Sequence, residues 1–156
     1  MSRDPATLTP QELAEACRDA MLVEDHAARR LGAVVESVGP GTSRVRLEPG
    51  ADLANGHGMI HGGYVYTLAD TAFAYACNTY NRIVVAQHCS ITYVAPAQVG
   101  VTLYAEGREA VRFGRNGIYD IRVSDADGRL IAEFRGHSRE IPGSHLPDGN
   151  TEEAAR

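Results

Sequence analysis

Residues Asn55 to Asn78, NGHGMIHGGYVYTLADTAFAYACN, constrain the fold more than any other stretch of the chain. The segment opens as a glycine and histidine loop and passes into an almost wholly apolar run in which Asp70 is the only charged residue. From Tyr64 to Cys77 no side of a helical wheel is polar. A helix that is apolar all round is buried rather than laid over a surface. Ala69, Ala72, Ala74 and Ala76 keep it thin, so a sheet can wrap closely around it. A carboxylate in such a helix is costly unless it is paired, hydrogen-bonded or set beside a water-filled pocket. Asp70 is therefore the first candidate for chemistry.

The chain has 156 residues and a 44% apolar composition, which suit one domain with a real core. A net charge of −5 argues against a nucleic-acid surface. No apolar run approaches the ~18 residues needed to span a membrane, and the N-terminus carries no apolar leader segment. Cys17, Cys77 and Cys89 lack metal-ligand spacing and read as reduced thiols. The expected location is the cytoplasm.

Thr9-Pro10-Gln11-Glu12 is a capping box with proline at the first helical position, predicting a helix over about 10–20. A second helical piece, Leu22 to Leu31, ends at Gly32, and its charges (Glu24, Asp25, Arg29, Arg30) are expected to face solvent. From Ala33 the pattern changes to short β runs joined by Gly39-Pro40-Gly41. After the apolar helix the chain is β again: Val84 to Val94, Val101 to Val111, Gly117 to Ser124 and Arg129 to Ile141, with a hairpin turn at Asp125 to Gly128. The division is a helical segment over 1–31, a main domain over 32–143 and a frayed tail over 144–156. The fold class is α+β, an antiparallel sheet of five to six strands wrapped around one long apolar helix. One sheet covers one side of that helix, so the remainder predicts a homodimer at least.

His61-Gly62-Gly63, followed by Leu68-Ala69-Asp70, resembles the signature of the hot-dog-fold acyl-CoA thioesterases. The wider stretch from Asn55 to Asn78, with GIYDIRV at 117–123 and EFRGHSREI at 133–141, is similar to the phenylacetate-degradation branch of that family. The likeness runs from about residue 22 to 143. It implies hydrolysis of aryl-acetyl-CoA esters, such as phenylacetyl-CoA or its hydroxylated forms, to free acid and CoA. It also implies a dimer of dimers and no cofactor, CoA being part of the substrate. Carried onto this sequence, the Gly62 amide is the oxyanion donor, Asn55 and His61 line the carbonyl site, and Asp70 is general base or nucleophile. Some relatives carry a hydroxyl residue on the following strand to hold water; here that place is Ala86, leaving Gln87, Thr71 or Asp70 itself.

The residues support that chemistry independently. A glycine-rich turn entering a helix offers free N–H groups and a dipole that favours negative charge. Gly62 and Gly63 let a substrate come close. Asp70, eight residues beyond Gly62, lies roughly 12 Å further along the axis, too far for one carbonyl to meet both. Two antiparallel helices across a two-fold axis solve this, giving a site shared between subunits. Tyr64, Leu68, Phe73 and Tyr80 are candidate walls for the acyl group, with Gly63 and Thr71 beside it. Arg112 and Arg115, flanking a strand turn, and Arg82 are candidates for CoA phosphates. Each residue also has a plainer role: Asn55 in an Asx turn, Thr71 bonding back to its own helix, the arginines solvated. His57 and His61 lack the helical spacing of a metal pair, so no metal is expected. Two alternatives stand beside hydrolysis: an enoyl-CoA hydratase or dehydratase using His61 with Asp70, and a non-catalytic acyl-CoA-binding module.

Overall fold

The protein is described by a computed structural model over residues 4–147. Two short helices, α1 (Pro10–Glu24) and α2 (His26–Leu31), precede two strands, β1 (Val34–Gly39) and β2 (Thr42–Leu47). The apolar stretch forms α3 (Gly62–Cys77), and four long strands follow: β3 (Ile83–Tyr93), β4 (Leu103–Phe113), β5 (Asn116–Asp125) and β6 (Leu130–Ile141). All six strands form one antiparallel sheet in the order β1-β2-β4-β5-β6-β3. The sheet curls around α3, which touches every strand, as in the hot-dog fold. Among the described residues no helix is long and apolar enough to cross a membrane.

Small residues bring helix and sheet together. A Cβ at Gly107 of β4 would stand 3.1 Å from the Ala72 carbonyl oxygen and 3.2 Å from Ala76 Cβ. The Ser43 hydroxyl of β2 donates to that same Ala72 carbonyl at 2.6 Å. Around this contact Leu68, Ala69, Ala72, Phe73 and Ala76 pack against Val45, Leu103, Tyr119, Ile121 and Phe134. Phe73 and Phe134 meet as a tilted ring pair 5.9 Å apart, a favoured aromatic geometry.

The two edges of the sheet differ. Along β1, α1 packs through Ala14 onto Val38, and the Gln11 amide donates to the Val38 carbonyl at 2.8 Å. At the other edge β3 bonds only to β6 and exposes an eleven-residue strand. Nor does the sheet enclose α3 on all sides. Gly63, Thr67, Asp70, Thr71 and Ala74 form a stripe that the sheet leaves partly exposed.

Asp25 departs from the solvated helical face expected of it. It breaks the helix there, and its Oδ1 caps α2 by accepting from the Ala28 amide at 2.9 Å. Its Oδ2 accepts from the Tyr75 hydroxyl at 2.9 Å, tying the N-terminal helices to α3. The segment after residue 143 is held at its start: His145 Nε2 lies 2.7 Å from Asn78 Oδ1, and the Leu146 amide donates to Asn81 Oδ1 at 2.8 Å. The rest of the expected tail, 148–156, lies outside the described residues.

The tight contact at Phe73 gives a test. A Cβ at Gly136 would lie 2.7 Å from three atoms of the Phe73 ring. Gly136→Ala should destabilise the protein by about 1–3 kcal/mol through overpacking, read as a lowered urea midpoint with an unchanged m-value.

Candidate active site

The loop before α3 is a tight hairpin held by Asn55. Its Oδ1 accepts from the His57 amide at 2.9 Å and the Met59 amide at 3.2 Å, and its own amide donates to the Met59 carbonyl at 2.7 Å. This is the Asx-type turn anticipated as the plainer reading. With Oδ1 fixed in this way, the Asn55 Nδ2 has no partner among the described residues and its direction is set by the loop.

His61 caps the helix. Its Nδ1 accepts from the Gly63 amide at 2.9 Å, which requires a neutral ring carrying its proton on Nε2. Its carbonyl accepts from the Tyr64 amide at 2.9 Å and the Val65 amide at 3.4 Å. Of the four amides that open α3, the bonds of His61 therefore satisfy three. The Gly62 N–H alone has no partner among the described residues. The peptide unit that carries it is pinned through its His61 carbonyl, so this donor is fixed in direction before any ligand arrives. A free amide at the positive end of a helix is an anion site, and its fixed orientation suits an oxygen that becomes negative during a reaction.

Asp70 lies on the uncovered stripe of α3, half-buried, with no hydrogen bond or ion pair among the described residues. Burial alone pushes its carboxyl above the ordinary range. Nearby thiols do not compete for its role. Burial pushes Cys77 up to about 12 and raises Cys89 as well, so both hold their protons and are poor nucleophiles. Within one chain Asp70 and the Gly62 amide are two turns of helix apart, as the spacing requires.

Other sequence candidates are placed as follows. Tyr64 is 39% exposed beside His61, the two rings meeting edge to face at 6.1 Å. The Thr71 hydroxyl donates to the Thr67 carbonyl at 2.7 Å, the plainer of its two readings. Leu68 and Phe73 are corrected: at 0% and 1% exposure they belong to the core behind the helix and reach no surface a substrate could touch. An apolar wheel does not show which side meets the sheet. Tyr80 stands away from Gly62, its hydroxyl donating to Glu109 at 2.8 Å and its ring lying 3.6 Å under the Arg112 guanidinium. Arg82, Arg112 and Arg115 surround one pocket of about 140 Å³ at the C-terminal end of α3. Arg112 is braced by Glu109 at 3.3 Å, whereas Arg115 has no ionic partner among the described residues. Gln87 sits on a β-bulge between Ala86 and His88, an irregularity that re-aims a side chain. No three His, Cys, Asp or Glu side chains gather as a metal-ligand set among the described residues.

One residue of the site escaped the sequence reading. Tyr93, at the end of β3, donates its hydroxyl to the Gly62 carbonyl at 2.8 Å. It borders a second, largely apolar pocket of about 320 Å³ beside Gly62, with Met59, Val65, Val94, Pro96 and Ile131. Nothing in its local sequence marks it, since the contact spans 31 positions.

Comparison with known proteins shows the family and the fold. The profile of the Thioesterase superfamily matches residues 57–132. The acyl-coenzyme A thioesterase PaaI of Escherichia coli K12 is 38% identical over 125 residues, covering 80% of this chain and 89% of that protein. The solved structure of E. coli PaaI, from the phenylacetic acid degradation operon, superposes with a TM-score of 0.86 at 35% identity, covering 87% of this chain and 99% of that one. A variant of the phenylacetic acid degradation protein PaaI from Thermus thermophilus superposes with a TM-score of 0.71 at 35% identity, covering 74% and 98%.

The unpartnered carboxylate makes a stability prediction. Because the folded chain holds the Asp70 proton more tightly than the unfolded chain, ionisation weakens the fold. Stability from this group is full below the ordinary carboxylate pKa and is lost as pH rises through the higher folded value. Asp70→Asn should therefore raise the Tm at neutral pH and flatten its fall over that window, measured by thermal scans from acid to neutral pH.

Proposed function

The chain belongs to the thioesterase superfamily and is a thioester hydrolase of the PaaI type, and we propose that it cleaves aryl-acetyl-CoA esters, phenylacetyl-CoA or its hydroxylated forms, at a site shared by two subunits. The observation that carries this reading is the pairing of two incomplete halves. The turn at Gly62 has one free, oriented donor and no base beside it. Asp70 is a base with no partner among the described residues, half-buried on a helix face that its own chain leaves partly exposed. Antiparallel α3 helices across a two-fold axis join each half to the other, and the exposed edge of β3 offers the strand contact that holds the pair together. A further pairing of such dimers, giving a tetramer, is part of the same proposal.

In this arrangement the thioester carbonyl accepts from the Gly62 amide of one subunit. The Nδ2 of Asn55 and the Nε2–H of His61 are further donors toward the same oxygen. Asp70 of the other subunit removes a proton from water as it attacks the carbonyl carbon, or attacks directly, in which case water later releases the acid. A raised proton affinity makes the carboxylate a better base at neutral pH. Gln87, re-aimed by its bulge, orients the water in place of the hydroxyl that Ala86 lacks. The tetrahedral intermediate collapses with loss of the CoA thiolate, which takes up a proton. The same two-fold axis brings the arginine pocket of one chain toward the Gly62 turn of the other. There Arg115 and Arg82 meet the CoA phosphates and Arg112 supports them from its stack on Tyr80.

Two measurements test this. Asp70→Asn should lower kcat by on the order of 10²–10⁴ with the fold retained, in an assay of thiol release from phenylacetyl-CoA, benzoyl-CoA and straight-chain esters. Near-normal turnover would remove Asp70 from the chemistry, and a preference for straight chains would remove the aryl-acetyl assignment. Mixing the Asp70→Asn chain with a Gly62→Val chain should restore part of the activity in hybrid dimers. Hybrids that form and stay inactive would rule out a shared site.

A further inference from the structure

The first turn of α3 is gripped from three directions, and the third grip comes from outside the motif. The Gly62–Gly63 peptide donates through its N–H to His61 Nδ1 at 2.9 Å and accepts through its carbonyl from the Tyr93 hydroxyl at 2.8 Å. That peptide is the immediate neighbour of the one carrying the free Gly62 N–H. Held at both ends, it fixes the φ and ψ of Gly62 and with them the direction of the free donor. The ring of Tyr93 also lies against Gly62. A Cβ built there would stand 3.1 Å from Tyr93 Cζ and 3.2 Å from its hydroxyl oxygen. Glycine at position 62 lets this ring lie close, since an added Cβ would press it back by a few tenths of an ångström. Tyr93 is 50% exposed within this chain, sits at a strand end and adds little to the core, so packing inside the chain does not explain its placement.

Tyr93 also faces the apolar pocket of about 320 Å³ shared with Met59, Val65, Val94, Pro96 and Ile131. This volume falls within the range of small-ligand sites, and its lining is of the apolar kind that such sites favour. A thioester whose oxygen bonds to Gly62 N–H has two arms. The CoA arm is drawn to cationic groups, which the shared site supplies from the arginine pocket of the partner subunit, whereas no charged side chain lines the pocket beside Gly62. The acyl arm is left for the apolar pocket.

We infer that Tyr93 is a positioning residue for the Gly62 oxyanion donor and that its ring roofs the pocket that receives the acyl group. This rests on the hydrolytic reading of Gly62 and Asp70 given above. A misaligned donor weakens the transition state more than the ground state, so loss of the hydroxyl is felt in kcat. Loss of the ring reshapes the pocket and is felt in the choice of acyl group.

The test is steady-state hydrolysis of phenylacetyl-CoA and hexanoyl-CoA by the full chain and its variants, with Tm recorded for each. Tyr93→Phe keeps the ring and removes the hydroxyl. It should lower kcat about ten-fold for both esters while KM stays within about two-fold and the ratio of the two esters is unchanged. Tyr93→Leu removes both and should in addition shift that ratio by about five-fold or more. If Tyr93→Leu does not fold, Val94→Trp narrows the same pocket from an exposed position and should shift the ratio instead. A wild-type kcat in Tyr93→Phe, or an unchanged ratio in the pocket variants, overturns the inference. Asp70→Asn and Gly62→Ala run alongside. Normal turnover in those two overturns the site reading and this inference with it, whereas their loss beside a normal Tyr93→Phe overturns this inference alone.

Discussion

The close approach of α3 to the sheet is the contact on which the rest of the structure depends. At Gly107 and Ser43 the sheet meets the helix backbone itself, with Ala72 and Ala76 offering almost no side chain to hold it off. A sheet drawn in this tightly must curl, and a curled sheet covers only the side of the helix it touches. The opposite stripe, Gly63 to Ala74, is then left partly exposed, and the half-buried Asp70 lies within it. The chemical group is exposed where the packing ends, so the position of the carboxylate follows from how the core is built.

The turn at Gly62 shows how a backbone donor is made available. Helix starts usually share out their free amides among water and side chains. Here the acceptors of one residue, His61, take three of the four and leave the fourth fixed. Preorganisation of this kind carries no cost at the moment of reaction, because the donor is already aimed when charge develops. The loop before it is equally constrained: Asn55 closes its own hairpin with one side-chain oxygen, and its amide nitrogen has no partner among the described residues.

Much of this is legible in the sequence, for reasons that differ by residue. The glycine pair after His61 and the apolar run behind it have few other uses, so turn and buried helix can be read locally. The hairpin at Asp125 to Gly128 is similarly plain, and Asp125 Oδ1 does accept from the Asp127 amide at 3.0 Å. What stays hidden is directional or distant. An all-apolar wheel does not say which flank meets the sheet, so Leu68 and Phe73 read as pocket walls although they are core. Asp25 reads as one more surface charge, because its partner Tyr75 lies 50 positions away. Tyr93 meets Gly62 only once β3 has folded back across the helix.

The unequal treatment of the sheet edges bears on growth. α1 packs on one end of β1 and bonds the Val38 carbonyl, while Val34, Glu36 and Ser37 stay exposed, so the eleven-residue β3 is the longer open flank of the sheet. Two copies joined along their β3 strands would close that flank and leave only the six-residue β1 at each outer edge, and a very short edge strand is one way a sheet resists adding further copies.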